Sequence, residues 1–266
     1  MKEAYNYCRN LVHRYDHDRY LLSLFAPAEA RGALWGLFAF NYEISKTREV
    51  VSDTNLGLIR LQWWRDEIAK IYAGQPCGQN QVLSTVAAAI QKYDLPQDLF
   101  EALIYSREFD LEDIAPANWE GLVNYADFTT TPLNKLMLKI ARESASNDEI
   151  HGISVKYALS GVLRSVPYML MHRRCYLPDA MLKDRDLSVQ KLFDFNHKEE
   201  IIEVVQIVHN LIVPFEKPQS QLLKVQQRMS DIYLNQIKQS GFDVFSASVQ
   251  REPLFFALRL ALSSLF

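Results

Sequence analysis

Arg31-Gly32-Ala33-Leu34-Trp35-Gly36-Leu37-Phe38-Ala39-Phe40 runs straight into Asn41-Tyr42-Glu43-Ile44-Ser45-Lys46-Thr47-Arg48-Glu49. Leu34, Leu37, Phe38 and Ile44 recur on one helical face, so the spacing predicts a long helix that opens at Pro27 and runs through about Val51. Proline suits the first helical position because the N–H it lacks would have no partner there, and Glu29 complements the positive N-terminal end. Gly32 and Gly36, one turn apart, allow another helix to approach closely. Ser45 and Glu49 are expected on neighbouring turns of the same helix.

Helical periodicity continues on both sides. Tyr5 to Arg14 and Asp16 to Phe25 read as one interrupted helix or two short ones. Leu56 to Tyr72 reads as a helix with Ile59, Trp63 and Ile71 in register and Gly74 near its stop. Further helices are expected over Val82 to Tyr93, Pro96 to Phe109, Trp119 to Lys139, His151 to Met171, Glu200 to His209 and Leu222 to Lys238. Only 9 Gly and 10 Pro stand against 48% apolar residues in 266, too few turn formers for a many-stranded sheet protein. The expectation is therefore an all-α, single-domain chain over residues 1–266.

A net charge of −3 with no dense Lys/Arg run gives no electrostatic footprint for nucleic acid. Cys8, Cys77 and Cys175 lack the paired spacing of a zinc site or disulfide framework, which fits a reducing compartment. The N-terminus carries no signal-like apolar segment, and no apolar run reaches the roughly 20 residues that cross a bilayer as a helix. The expected location is the cytoplasm of a bacterium, either free or peripheral on the inner membrane. Pro253 to Phe266 holds Leu254, Phe255, Phe256, Leu258, Leu260, Leu262 and Leu265 with Arg259 as its only Lys or Arg. At about 1.5 Å per residue it spans roughly 20 Å, so it either docks into the fold or lies on a membrane or partner.

A second stretch, Leu163-Arg164-Ser165-Val166-Pro167-Tyr168-Met169, is followed by Arg173-Arg174-Cys175-Tyr176-Leu177-Pro178. Together with Arg31 to Phe40, it resembles the squalene and phytoene synthases. Their first aspartate-rich box, D-[DE]-x-x-D, falls without gaps on Ser45, Lys46 and Glu49, and their second, L-R-D-V-x-x-D, puts Ser165 and Met169 at its aspartates. The resemblance implies an all-α isoprenoid-synthase-type fold with a central cavity, whose boxes hold magnesium ions that bridge a prenyl diphosphate. Magnesium takes hard oxygen ligands and neutralises a leaving diphosphate. Two hydroxyls, an ammonium and a thioether do not supply that chemistry, so no catalytic residue and no metal site is expected at Ser45, Lys46, Glu49, Ser165 and Met169, and no cofactor. The family's tyrosine and arginine ahead of the first box correspond to Phe38 and Tyr42 here, whereas Arg164 is retained.

Tyr7 to Asp16, Tyr20 to Glu29, Ala39 to Glu43, Gly57 to Trp64, Leu163 to Tyr168 and Phe242 to Phe245 are also similar to the branch of that superfamily that helps to assemble NADH dehydrogenase, respiratory complex I. That likeness implies a non-catalytic helper whose partners are complex I subunits or other assembly factors. Two alternatives stand beside it. One is a prenyl-diphosphate synthase that uses magnesium through displaced ligands, Glu43, Glu49 or Asp66. The other is a module that binds an isoprenoid or an acidic lipid without consuming it. For such a pocket the candidates are Phe38, Tyr42, Glu49, Arg60, Arg164, Tyr168 and Arg174, with Arg173 and Lys156 as further cations. Ordinary pairing with Asp and Glu accounts for the same cations. His13 and His17 share a helical face but lack a third ligand. Trp63 and Trp64 point about 100° apart on a helix, so at most one faces inward.

Overall fold

The computed structural model describes residues 1–216 and 218–263. Its described residues form helices and no strand: α1 (Lys2–Tyr15), α2 (His17–Ser23), α3 (Ala28–Ser45), α4 (Thr47–Val50), α5 (Thr54–Tyr72), α6 (Gln81–Tyr93), α7 (Gln97–Ser106), α8 (Phe109–Glu112), α9 (Trp119–Ala141), α10 (Asn147–Met171), α11 (Asp179–Lys183), α12 (Val189–Leu192), α13 (Lys198–Leu211), α14 (Gln221–Gln239), α15 (Ala247–Gln250) and α16 (Phe256–Ser263). None of these helices is long and apolar enough to cross a membrane. Two compact units share the chain. The first holds residues 1–112, 128–146 and 219–222, and the second holds 113–127, 147–218 and 223–266.

In the first unit, α3 packs against α1 and α6, which also touch each other. The two glycines explain how closely. A Cβ on Gly32 would lie 3.1 Å from the Tyr5 ring of α1, a tight contact, and only the one on Gly36, 2.7 Å from Thr85 Oγ1 of α6, would come closer than side chains tolerate. Asp16, at φ −143°, divides the N-terminal stretch into α1 and α2, and its carboxylate caps α2 by accepting from the Arg19 amide. Asp53 caps α5 by accepting from the Asn55 and Leu56 amides at 2.8 and 3.1 Å.

Two expectations need correction here. The helix predicted through Val51 stops at Ser45: Lys46 sits at ψ −2°, and the Glu49 amide bonds to the Lys46 carbonyl, three residues back, instead of continuing the ladder to Ser45. Glu49 thus belongs to the separate turn α4. On α5 the inward stripe is Gly57, Leu61, Trp64, Ile68 and Ile71, not one led by Ile59 and Trp63. Trp64 is 1% exposed against 42% for Trp63. The helix carries two apolar stripes, and the chosen one begins at a glycine that admits Leu111 of α8.

In the second unit, Leu159, Leu163, Val166 and Leu170 of α10 pack with Ile201, Val204, Val205 and Val208 of α13 and Ile237 of α14 in one apolar core. The short helices α11, α12 and α15 lie in segments where no helix was expected. At the C-terminus Phe256 and Leu260 of the apolar stretch dock into the fold, while Leu254, Phe255, Leu258 and Leu262 are exposed. Leu265 lies outside the described residues.

Candidate functional site

The first-box segment ends α3 in a network closed by its own neighbours. Ser45 donates its hydroxyl to the Tyr42 carbonyl at 3.0 Å, a back-bond within the same turn. The Lys46 ammonium lies 2.6 Å from Glu43 Oε1, and Arg60 of α5 reaches Glu43 Oε2 at 3.0 Å. One carboxylate therefore serves two cations. Lys46 also stands 4.9 Å over the Tyr42 ring, which stacks on Tyr15 at 4.9 Å and 11°, while Arg14 covers Tyr15 from 5.1 Å. Burial, then Tyr15, Glu43 and Glu49, hold the Tyr42 phenol above its ordinary pKa, so it stays protonated and can donate. Thr47 is buried, and its hydroxyl finds no hydrogen-bond partner among the described residues. Phe38 is a core residue, and Glu49 is exposed on α4.

The second-box segment lies on α10. Ser165 donates to the Val162 carbonyl at 2.9 Å, repeating the back-bond of Ser45. The Arg164 guanidinium sits 3.5 Å over the buried ring of Tyr233 from α14, a cation–π contact at van der Waals range. Tyr168 is exposed and packs on His172 at 4.2 Å. Met169 is half-buried and accepts the Arg174 amide through its carbonyl at 2.9 Å. Arg174 is buried beside Asp113 at 3.5 Å, and Lys156 is buried in an ion pair with Asp231. Arg173, at φ 55°, turns its guanidinium toward Phe193 at 6.0 Å. Thus Arg60, Arg174 and Lys156 each have a carboxylate of the same unit as partner.

The acidic oxygens proposed as substitutes have their own contacts. Glu43 is engaged twice, and Asp66 accepts from Gln62 at 2.7 Å. Among the described residues no three His, Cys, Asp or Glu side chains sit together so as to hold a metal ion. His13 instead meets His17 and Tyr20 edge-on, the two imidazoles 5.2 Å apart, while His17 stacks on Tyr20. The donor set at both boxes does not fit magnesium, which requires several converging oxygen ligands. Burial pushes the Cys8 thiol up to about 11 and the Cys175 thiol up to about 12, which disfavours the thiolate at both.

Reasoning on the sequence did not single out Tyr15 and Arg14 as the stack on Tyr42, nor Tyr233 as the platform for Arg164. The pairing of Glu43 with Lys46 had a visible signal, opposite charges three apart on one helix. Tyr233 had none, being 69 positions from Arg164 (233 minus 164).

A model of the squalene/phytoene synthase family matches residues 12–254. The chain belongs to that family. Its relatives include NADH dehydrogenase (ubiquinone) complex I, assembly factor 6, of Bos taurus, 29% identical over 273 residues covering 97% of this chain and 81% of that protein. Phytoene synthase 1, chloroplastic, of Zea mays is 22% identical over 204 residues, 73% of this chain and 48% of that one. Among solved structures, squalene synthase HpnC from Alicyclobacillus acidocaldarius superposes with a TM-score of 0.74 at 17% identity, covering 91% of this chain and 95% of that one. The squalene/phytoene synthase fold is therefore shared, as the resemblance implied.

Proposed function

We propose that this member of the squalene/phytoene synthase family is catalytically degenerate and aids the assembly of respiratory complex I, with complex I subunits or other assembly factors as its partners. The observation that carries the loss of catalysis is the first-box network. Lys46 occupies an acid position, and the nearest carboxylate, Glu43, is already bound by Lys46 and Arg60. A metal entering there would have to displace two ion pairs and would gain no second acid from Ser45. The assembly role is supported by likeness over nearly the whole chain to a protein named for it. Family membership alone does not assign it, because folds outlive their chemistry.

The test is deletion of the gene followed by a native gel of membrane complexes. A marked drop in assembled complex I is expected, and normal levels would overturn the role. The likeness to a phytoene synthase favours a second reading, an active synthase with displaced ligands. That reading requires product when purified protein is incubated with farnesyl or geranylgeranyl diphosphate and magnesium. We expect none, and product lost on changing Glu49 or Arg164 would replace the first reading. A bound isoprenoid or acidic lipid would appear by mass spectrometry of what co-purifies.

A further inference from the structure

The C-terminal end of the second unit carries an apolar edge that the fold leaves uncovered. Leu254 is 81% exposed, Phe255 75%, Leu258 56% and Leu262 52%, whereas Phe256 and Leu260 between them are buried. Phe256 anchors the segment by packing on Tyr233 at 5.0 Å. Leu258 and Leu262, four residues apart on α16, share one outward helical face, and Leu254 and Phe255 stand exposed in the turn that leads into it. Phe255 holds φ 55°, the left-handed region that bulky side chains avoid, and this turns a large ring outward immediately before α16. Scattered exposed leucines need no explanation, but four large apolar side chains on one edge do.

Beside this edge lies a groove of about 510 Å³ lined by Gln236, Gln239, Ser248, Arg251, Glu252 and Arg259, with Leu254 at its rim. Arg251 and Arg259 have no carboxylate partner among the described residues, unlike Arg60, Arg174 and Lys156. Among the described residues Glu252 is the one acid lining the groove, against two guanidiniums. Gln236 Oε1 is buried there with no hydrogen-bond partner among the described residues. The edge thus combines projecting apolar groups with flanking cations. That pairing suits an interfacial element, in which rings and leucines sit among acyl chains while arginines meet headgroup phosphates.

We propose that residues 251–262 form a docking surface for a bilayer rich in anionic phospholipid. Leu254, Phe255, Leu258 and Leu262 insert into the interface, and Arg251 and Arg259 bind lipid phosphate. The charge balance of the groove selects an anionic membrane over a neutral one. The eight residues of α16 are too few to cross a bilayer, so the helix lies in the plane of the surface. The inference rests on neither the assembly role nor the loss of catalysis.

The test is co-sedimentation of the full chain with vesicles of phosphatidylcholine alone and of phosphatidylcholine with about a third phosphatidylglycerol. Binding is expected to the mixed vesicles and to weaken as salt is raised. Phe255→Ser with Leu258→Ser should lower it about tenfold or more, in line with the apolar area withdrawn. Arg251→Gln with Arg259→Gln should lower binding to the mixed vesicles and leave the melting temperature unchanged. If the serine variant melts early, the glutamine variant decides. Equal binding to both vesicle types, no binding to either, or binding that neither variant alters would overturn the proposal. So would a wild-type dimer that the serine variant dissolves in gel filtration, because the edge would then be a contact between copies. The assay contains no complex I, so its failure and failure of the assembly role are separate results.

Discussion

On α3, Ser45 returns its hydroxyl to its own helix at 3.0 Å, and on α10 Ser165 does so at 2.9 Å. Here the two boxes agree: where the family pattern has acids, each presents a hydroxyl satisfied within one turn. They differ in how they hold the adjacent cation. Lys46 is met by a carboxylate three residues away and shares it with Arg60, so the first box is an ion-pair network that is partly open to solvent. Arg164 lies on the face of Tyr233, itself buried and packed at a tilt on Phe256, so the second box is tied to the core through an aromatic ring. The first box is thereby sensitive to charge and salt, and the second to volume.

The largest effect should come from cutting that aromatic tie. Tyr233→Ala removes a buried ring beneath Arg164 and beside Phe256 and should cost about 3–5 kcal/mol in denaturant unfolding, with little salt dependence. A loss below about 1 kcal/mol would show that the ring carries no core load. Glu43→Gln should cost about 1–2 kcal/mol, since Lys46 and Arg60 lose their shared partner while retaining some solvent. Repeating the melt at about 1 M salt should narrow that gap, and an unchanged gap would mean that packing and not charge holds the first box. Ser45→Ala and Ser165→Ala should each stay within about 0.5 kcal/mol of the parent, because a hydroxyl bonded to its own turn adds little to a helix. A larger loss at one serine alone would break the parallel between the boxes. The smallest effect expected is that of magnesium. A site with Kd near 0.1 mM would add about 2.7 kcal/mol at roughly 10 mM metal, and no shift in melting temperature is expected.

Much of this architecture was legible in the sequence because it is local. The helices around Leu34, Trp64, Leu163 and Val204 follow from apolar spacing, and Gly32 and Gly36 announced the close approach of Tyr5 and Thr85. The failures were also local in cause. Leu56, Ile59 and Trp63 form as good a stripe as Leu61, Trp64 and Ile68, and periodicity cannot choose between two apolar faces of one helix. The stop at Ser45 was hidden because nothing in Ser45-Lys46-Thr47 forbids a helix, and the break depends on a shift of a single hydrogen bond.

By itself, the sequence determined the helical class and placed Glu43 within reach of Lys46, because each depends on residue type and on spacing within about one turn. Only the tertiary structure decided that Arg60 shares Glu43, that Arg174 is matched by Asp113, that Tyr233 lies under Arg164, and that Arg251 and Arg259 have no ion-pair partner among the described residues beside an exposed apolar edge. Charges and rings far apart in the chain meet only once the helices have packed, and that packing is set by which apolar face each helix buries.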